Sequence, residues 1–225
     1  MMRFHALLLL APTIAVAQSP FDATRLVPRS DSFAVTVQGR QVGGIRETIE
    51  KTATGFRLVS AQALAGMTQS TEVHFSRALV MASVKQEGQA RGQSMKIDVA
   101  YARGRAKGTA TTPGPQGMKT IEVDTTVPPG AVDDNALQSL LPALPLGAGK
   151  SFQVPVFASG QGTSKMMTVT VNGSESVTVP AGTFDAWKVE VSGGQVPVTF
   201  WVSRTDPRVV KMGFAGAPMA FELVK

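Results

Sequence analysis

The chain has 225 residues, no cysteine, and 22 basic against 16 acidic side chains, for a formal net charge of +6. Without cysteine there is no disulfide, thiolate nucleophile or sulfur-ligated metal site, so stability rests on a hydrophobic core, which a chain of this length is large enough to bury. So small a basic excess bears on association and solubility rather than on fold, and in an exported protein nucleic acid is not an expected partner.

The first predicted element is a secretory signal peptide over residues 1–17. Arg3 supplies the positive start, Ala6 to Leu10 the apolar run, and Ala15-Val16-Ala17 an A-x-A cleavage site. The run is far shorter than the roughly 20 residues that cross a bilayer. The expectation is therefore cleavage near Ala17, a mature chain starting at Gln18 with no transmembrane span, and export to the periplasm or the extracellular space. Processing removes one arginine, leaving 21 basic and 16 acidic side chains. No cysteine follows the cleavage site, so no lipid anchor is expected.

Residues 18–31 show no periodicity and read as a flexible lead-in, and residues 32–225 read as a single β-rich domain. From Phe33 onward, short runs alternate apolar and polar residues between Gly, Pro, Asn and Ser, the pattern of strands and turns. Phe33, Val35 and Val37 share one face. Runs at 41–51, 55–59, 71–76, 78–85, 94–102 and 118–127 follow, and after a break others at 151–158, 165–171, 175–179, 184–191, 195–202, 209–214 and 219–224. About a dozen strands at this spacing predict an all-β fold with one short helix: a large curled antiparallel sheet or half-open barrel.

Along the way, Glu72, His74 and Ser76 fall on one strand face about 7 Å apart, and His74 is the single histidine beyond the signal peptide. No G-x-S-x-G elbow accompanies them, and alternating polar residues are what a solvated strand face carries. The basic run Arg103-Gly104-Arg105-Ala106-Lys107 could hold an anionic head group, or it is simply the solvated face of a hairpin. Thr109 to Gly117, with two prolines and two glycines, reads as an exposed loop. Glu122 and Asp124 share a solvated face.

Residues 132–142 carry the one helical spacing, with Val132, Ala136, Leu137, Leu140 and Leu141 apolar, and Asp133 or Asp134 suited to the N-cap. Prolines on both sides stop it. A helix of two to three turns is predicted, packed across or plugging the end of the sheet.

Gly147-Ala148-Gly149-Lys150-Ser151 ends like a phosphate-binding loop but has Leu144 where that motif needs its first glycine. Asn172-Gly173-Ser174 matches a glycosylation acceptor, though Asn-Gly between valine-rich runs is first a hairpin turn. One histidine and no cysteine exclude the common zinc sets, Asp133-Asp134-Asn135 lacks the order of a calcium loop, and two tryptophans with one tyrosine are few for a glycosidase. No cofactor, no metal site and no catalytic residue are expected, and the chain is not expected to be an enzyme.

In Val179-Pro180-Ala181-Gly182-Thr183-Phe184-Asp185-Ala186-Trp187-Lys188-Val189-Glu190, preceded by Glu175 and Val177, and in Phe200-Trp201-Val202-Ser203 followed by Asp206-Pro207-Arg208, the chain resembles a bacterial secreted domain of unknown function, number 3108. The likeness covers Val169 to Lys211. It implies a curled, half-open sheet with a helix at its mouth, similar to periplasmic lipoprotein carriers, which hold acyl chains in an apolar concavity. It transfers no catalytic residue. Pro180, Gly182, Phe184 and Trp187 are the fold-marking turn: Pro180 ends a strand, Gly182 supplies positive φ, and Phe184 or Trp187 anchors the next strand. Asp185 is expected to bond turn amides or to meet solvent.

Two functions follow from this reading: a non-catalytic exported β domain that binds a lipid or other apolar small molecule in its concave sheet, or an envelope module that contacts another protein without a small ligand. Trp201 and Met166, apolar residues on otherwise polar strand faces, are the candidate ligand contacts, and packing under the helix or a loop is the alternative for each.

Overall fold

The computed structural model describes residues 19–225, so the signal-peptide reading lies outside the described residues. A single sheet of 15 strands accounts for the fold. In chain order the strands are β1 (Arg29–Val37), β2 (Arg40–Lys51), β3 (Gly55–Leu64), β4 (Met67–Ser76), β5 (Met81–Ala90), β6 (Gln93–Ala102), β7 (Arg105–Gly114), β8 (Gly117–Thr126), β9 (Val132–Asp133), β10 (Ser151–Ala158), β11 (Thr163–Val179), β12 (Gly182–Ser192), β13 (Val198–Ser203), β14 (Val209–Phe214) and β15 (Met219–Leu223). The helix α1 (Leu137–Leu140) continues as a 3-10 turn through Ala143.

Each strand follows from alternation. In β6, Met95, Ile97 and Val99 are buried while Lys96, Asp98 and Ala100 face outward. In β4, Thr71, Val73 and Phe75 turn inward and Glu72, His74 and Ser76 do not. Neighbours in the sheet are neighbours in the chain except at one place, where β1 pairs with β15, Phe33 opposite Leu223. The sheet ends at β8 and β9, which do not pair, so the sheet curls without closing.

Four departures from the sequence-based expectations have local causes. First, β9 pairs parallel to β10, the one parallel pairing in the sheet, because the intervening α1 segment supplies the crossover that parallel strands need. Second, the helix is one α turn plus a 3-10 turn rather than residues 132–142. Val132 and Asp133 are taken by strand pairing, and the N-cap is Ala136 with no side-chain bond. Third, the expected loop at 109–117 is strand through Gly114, and Pro113 pairs opposite Met118. Fourth, Asn172-Gly173 is not a hairpin turn: β11 runs through it, with a bulge between Val171 and Gly173 absorbed by Gly173 at φ +137°.

The hollow of the sheet is filled. Leu137, Leu140, Leu141 and Leu144 from the helical segment, together with Phe157 and Val156, are buried in one contiguous core. Each such side chain contributes roughly 1.5–3 kcal/mol through burial. Of the residues read as a flexible lead-in, Phe21 and Leu26 are in this core, the Asp22 amide donates to the Ala143 carbonyl at 2.8 Å, and β1 already begins at Arg29.

Candidate functional site: an apolar groove at the mouth

In an antiparallel meander alternate connections fall at the same end, which brings the β4–β5, β6–β7 and β8–β9 connections together. With the lead-in Ser19–Ala23 they enclose a half-open groove of about 710 Å³. Binding clefts for small molecules occupy about 300–1,000 Å³ and are mostly apolar.

The β4–β5 turn builds one wall. The Ser76 hydroxyl accepts the amides of Ala78 at 3.3 Å and Val80 at 3.2 Å, and the Leu79 amide donates to the Ser76 carbonyl at 3.0 Å. Clamped in this way, Leu79 adopts φ +56°, a left-handed conformation uncommon for leucine that costs on the order of 1–3 kcal/mol. The turn drives Leu79 inward, to 2% exposure, and leaves Val80 at the rim, 62% exposed. Across the groove, Pro128 and Pro129 have no N–H to offer, so that wall presents carbon.

Tyr101 forms the floor. Its ring meets Phe157 edge-on, centroids 5.7 Å apart at 90°, and its hydroxyl donates to Asp133 Oδ2 at 2.6 Å. Asp133, fully buried, also accepts the Asn135 amide at 2.9 Å and the Asn135 side-chain Nδ2 at 2.8 Å. Burial, and then the Asp133 carboxylate, push the phenol far above its ordinary range, so Tyr101 stays a donor. The bond joins β6 to β9, across the open edge of the sheet.

A second buried polar group lies against the helix. Asp31, 2% exposed, is held by Arg29 Nε at 2.7 Å and Arg208 Nη1 at 2.9 Å. Its cross-strand partner Glu47 is also buried, and burial raises its pKa against the opposing pull of Arg29. The Ser139 hydroxyl approaches Glu47 without a well-formed hydrogen bond.

Of the stretches singled out in the sequence, the basic run brings Arg103, Gly104 and Arg105 into the lining of this groove, and the others fall elsewhere. Glu72 binds Arg57 at 2.7 Å and His74 Nε2 at 2.5 Å, and the hydrogen bond from Arg57, then that from His74, lowers its pKa to about 2. Ser76 is a turn clamp, with no hydrogen bond to His74, so no nucleophile–base pair forms there. Trp201 lies on the strand face opposite Phe200 and Val202, between Lys188 and Lys211 at 5.8 and 5.9 Å, and donates its indole N–H to Glu175 at 2.5 Å. Met166 is 56% exposed on β11. Neither lines the groove.

Pro180 and Ala181 form a two-residue turn into Gly182 at φ +136°, and Phe184 and Trp187 are half-buried against the core. Asp185 pairs with Arg204 at 2.6 Å, and Arg204 stacks over Trp187 at 4.6 Å. Lys150 folds back onto the Pro145 carbonyl at 2.9 Å, so its loop cradles nothing but itself. Among the described residues no group of three or more His, Asp or Glu side chains is placed to hold a metal.

Apart from the basic run at Arg103–Arg105, the groove residues escaped sequence reasoning because Leu79 and Val80 sit in a run that reads as strand. The usable signal was Phe21, a large apolar residue isolated in a polar lead-in.

The chain matches the family described as Protein of unknown function (DUF3108) over residues 32–217, and it belongs to that family. No curated protein matches it. Among solved structures, a β-barrel-like protein of domain of unknown function DUF1849 from Brucella abortus is 13% identical, with TM-score 0.55 over 89% of this chain and 97% of that one, and is similar in fold. A candidate lipoprotein from Parabacteroides distasonis is 11% identical, with TM-score 0.34 over 92% of this chain and 98% of that one.

Proposed function

We propose that this member of the family is a non-catalytic exported β domain, periplasmic or extracellular, that holds a lipid or other apolar ligand at the mouth of its half-barrel. The observation that carries the reading is the groove itself, with apolar walls and an exposed Val80 fixed by a strained turn. Since the hollow of the sheet is packed with leucines, the ligand's place is the mouth and not the concave face. Acyl burial is worth about 0.8 kcal/mol per methylene, so eight buried groups supply roughly 6 kcal/mol before ordering costs. Export rests on the Arg3, Ala6–Leu10 and Ala15-Val16-Ala17 pattern. Among the described residues no helix is long and apolar enough to cross a membrane.

The test is mass spectrometry of lipid extracts from natively purified protein, with thermal melts in added fatty acid or phospholipid. Stoichiometric lipid, or a rise in melting temperature, is expected. Neither would shift the reading to a protein-contacting envelope module, for which the ten-residue edge strand β8, paired on one side alone, is the specific feature.

A further inference from the structure

We infer that the groove's ligand is an amphiphile with an anionic head group, its chain in the groove and its head at Arg103; this rests on the groove reading above. Among the described residues the groove lining carries three charged side chains. Asp22 is turned into its own 3-10 turn, where it accepts the Thr24 amide at 2.9 Å and the Thr24 hydroxyl at 2.6 Å, and faces Arg25 at 3.5 Å. Arg105 is paired with Asp124. Arg103 has no ion pair and no side-chain hydrogen bond among the described residues, so the one uncompensated charge of the lining is positive.

The position of that charge is set by the backbone. Arg103 and Gly104 have φ +48° and +71°, a type I′ pair that turns β6 into β7 at the rim, directly after Tyr101 and Ala102. An acyl chain lying on Leu79, Met81 and Phe21 would leave its head group at the water boundary, where Arg103 stands. A guanidinium suits carboxylate and phosphate oxygens alike because its donors form a planar fork. Arg91-Gly92 forms the same turn type, at φ +52° and +77°, at the other end of the sheet and away from the groove. It is an internal control.

The experiment is isothermal titration of the mature protein with dodecanoate, with 1-dodecanol and with acetate, repeated for Arg103→Asn and Arg91→Asn. Asparagine suits the first position of a type I′ turn, so neither variant should lose the fold. Dodecanoate is expected to bind more tightly than dodecanol. Arg103→Asn should weaken dodecanoate by about two- to fivefold, the range for an ion pair open to solvent, and leave dodecanol unchanged. Arg91→Asn should change neither, and added salt should narrow the gap between the two ligands. Equal binding of both ligands, unaffected by Arg103→Asn, would overturn the head-group assignment and leave the groove reading standing. No binding of either would overturn the groove reading as well. Acetate binding as tightly as dodecanoate would overturn the assignment by revealing a bare anion site.

Discussion

Tyr101 and Asp133 are joined by a 2.6 Å hydrogen bond that ties strand β6 to strand β9 where the sheet itself makes no pairing. The phenol is pinned on its other side by the edge of Phe157. Tyr101→Phe keeps that ring contact and removes one of the three donors to the buried Asp133 carboxylate. We expect a loss of about 1–3 kcal/mol, the cost of leaving a buried acceptor short of a partner. Urea denaturation checks it: the midpoint should fall with the slope unchanged.

Gly182 at φ +136° separates the fold-marking turn from any side chain's comfortable range. Gly182→Ala should cost about 1–3 kcal/mol, as a residue held in a sparsely populated conformation. Asp185→Ala loses only a solvent-open ion pair with Arg204, worth about 0.2–1 kcal/mol. Differential melting of the two variants separates the roles, and a normal melting temperature for Gly182→Ala would refute the account of the corner.

Val80 is 62% exposed, so Val80→Asp should leave stability within about 0.5 kcal/mol of the parent. A carboxylate at the rim of an apolar groove should nevertheless abolish most fatty-acid binding. Titration alongside a thermal melt checks both halves of this expectation.

Two carboxylates give the pH profile opposite slopes. Glu72 has a folded value of about 2 against the usual 4.5, so its contribution is present above 4.5 and is lost as pH falls toward 2. Glu47 is raised by burial, so its contribution is present below the ordinary value and is lost as pH rises through the folded one, among the nearby charges of Arg29 and Asp31. Glu47→Gln should therefore flatten the high-pH side of the stability curve, and Glu72→Gln the acid side. Denaturant midpoints from pH 2 to 9 test both signs.

Most of the sheet was legible because its strands bury one face and so alternate, as Met95, Ile97 and Val99 do. Sequence reading failed where a local rule was overruled by pairing. Asn172-Gly173 has turn chemistry, yet β12 continues alongside it and the residues become a bulge. Pro113 discourages a strand, yet at the end of β7 its missing N–H costs little. Val132 and Asp133 fit a helical period, but β10 captures them. The groove was hidden for a different reason: it is made of three connections and the lead-in, distant from one another in the chain, so the basic run at Arg103–Arg105 alone did not reveal it. The Arg29–Asp31–Arg208 cluster was hidden likewise, since 177 positions separate Asp31 from Arg208.

The order of strands has a consequence for how the chain acquires its shape. Every strand pairing but one joins sequence neighbours, so each hairpin can form as soon as its two strands are available, at a small cost in loop entropy. The exception, β1 with β15, unites the first strand with the last, and among the described residues no other strand pairing links the two arms of the sheet. A chain emerging N-terminus first would thus assemble β1 to β8 as one self-contained meander and β10 to β15 as another. It would commit to the final shape only when β15 docked beside β1, which makes that docking the event for a pulse-labelling experiment to time.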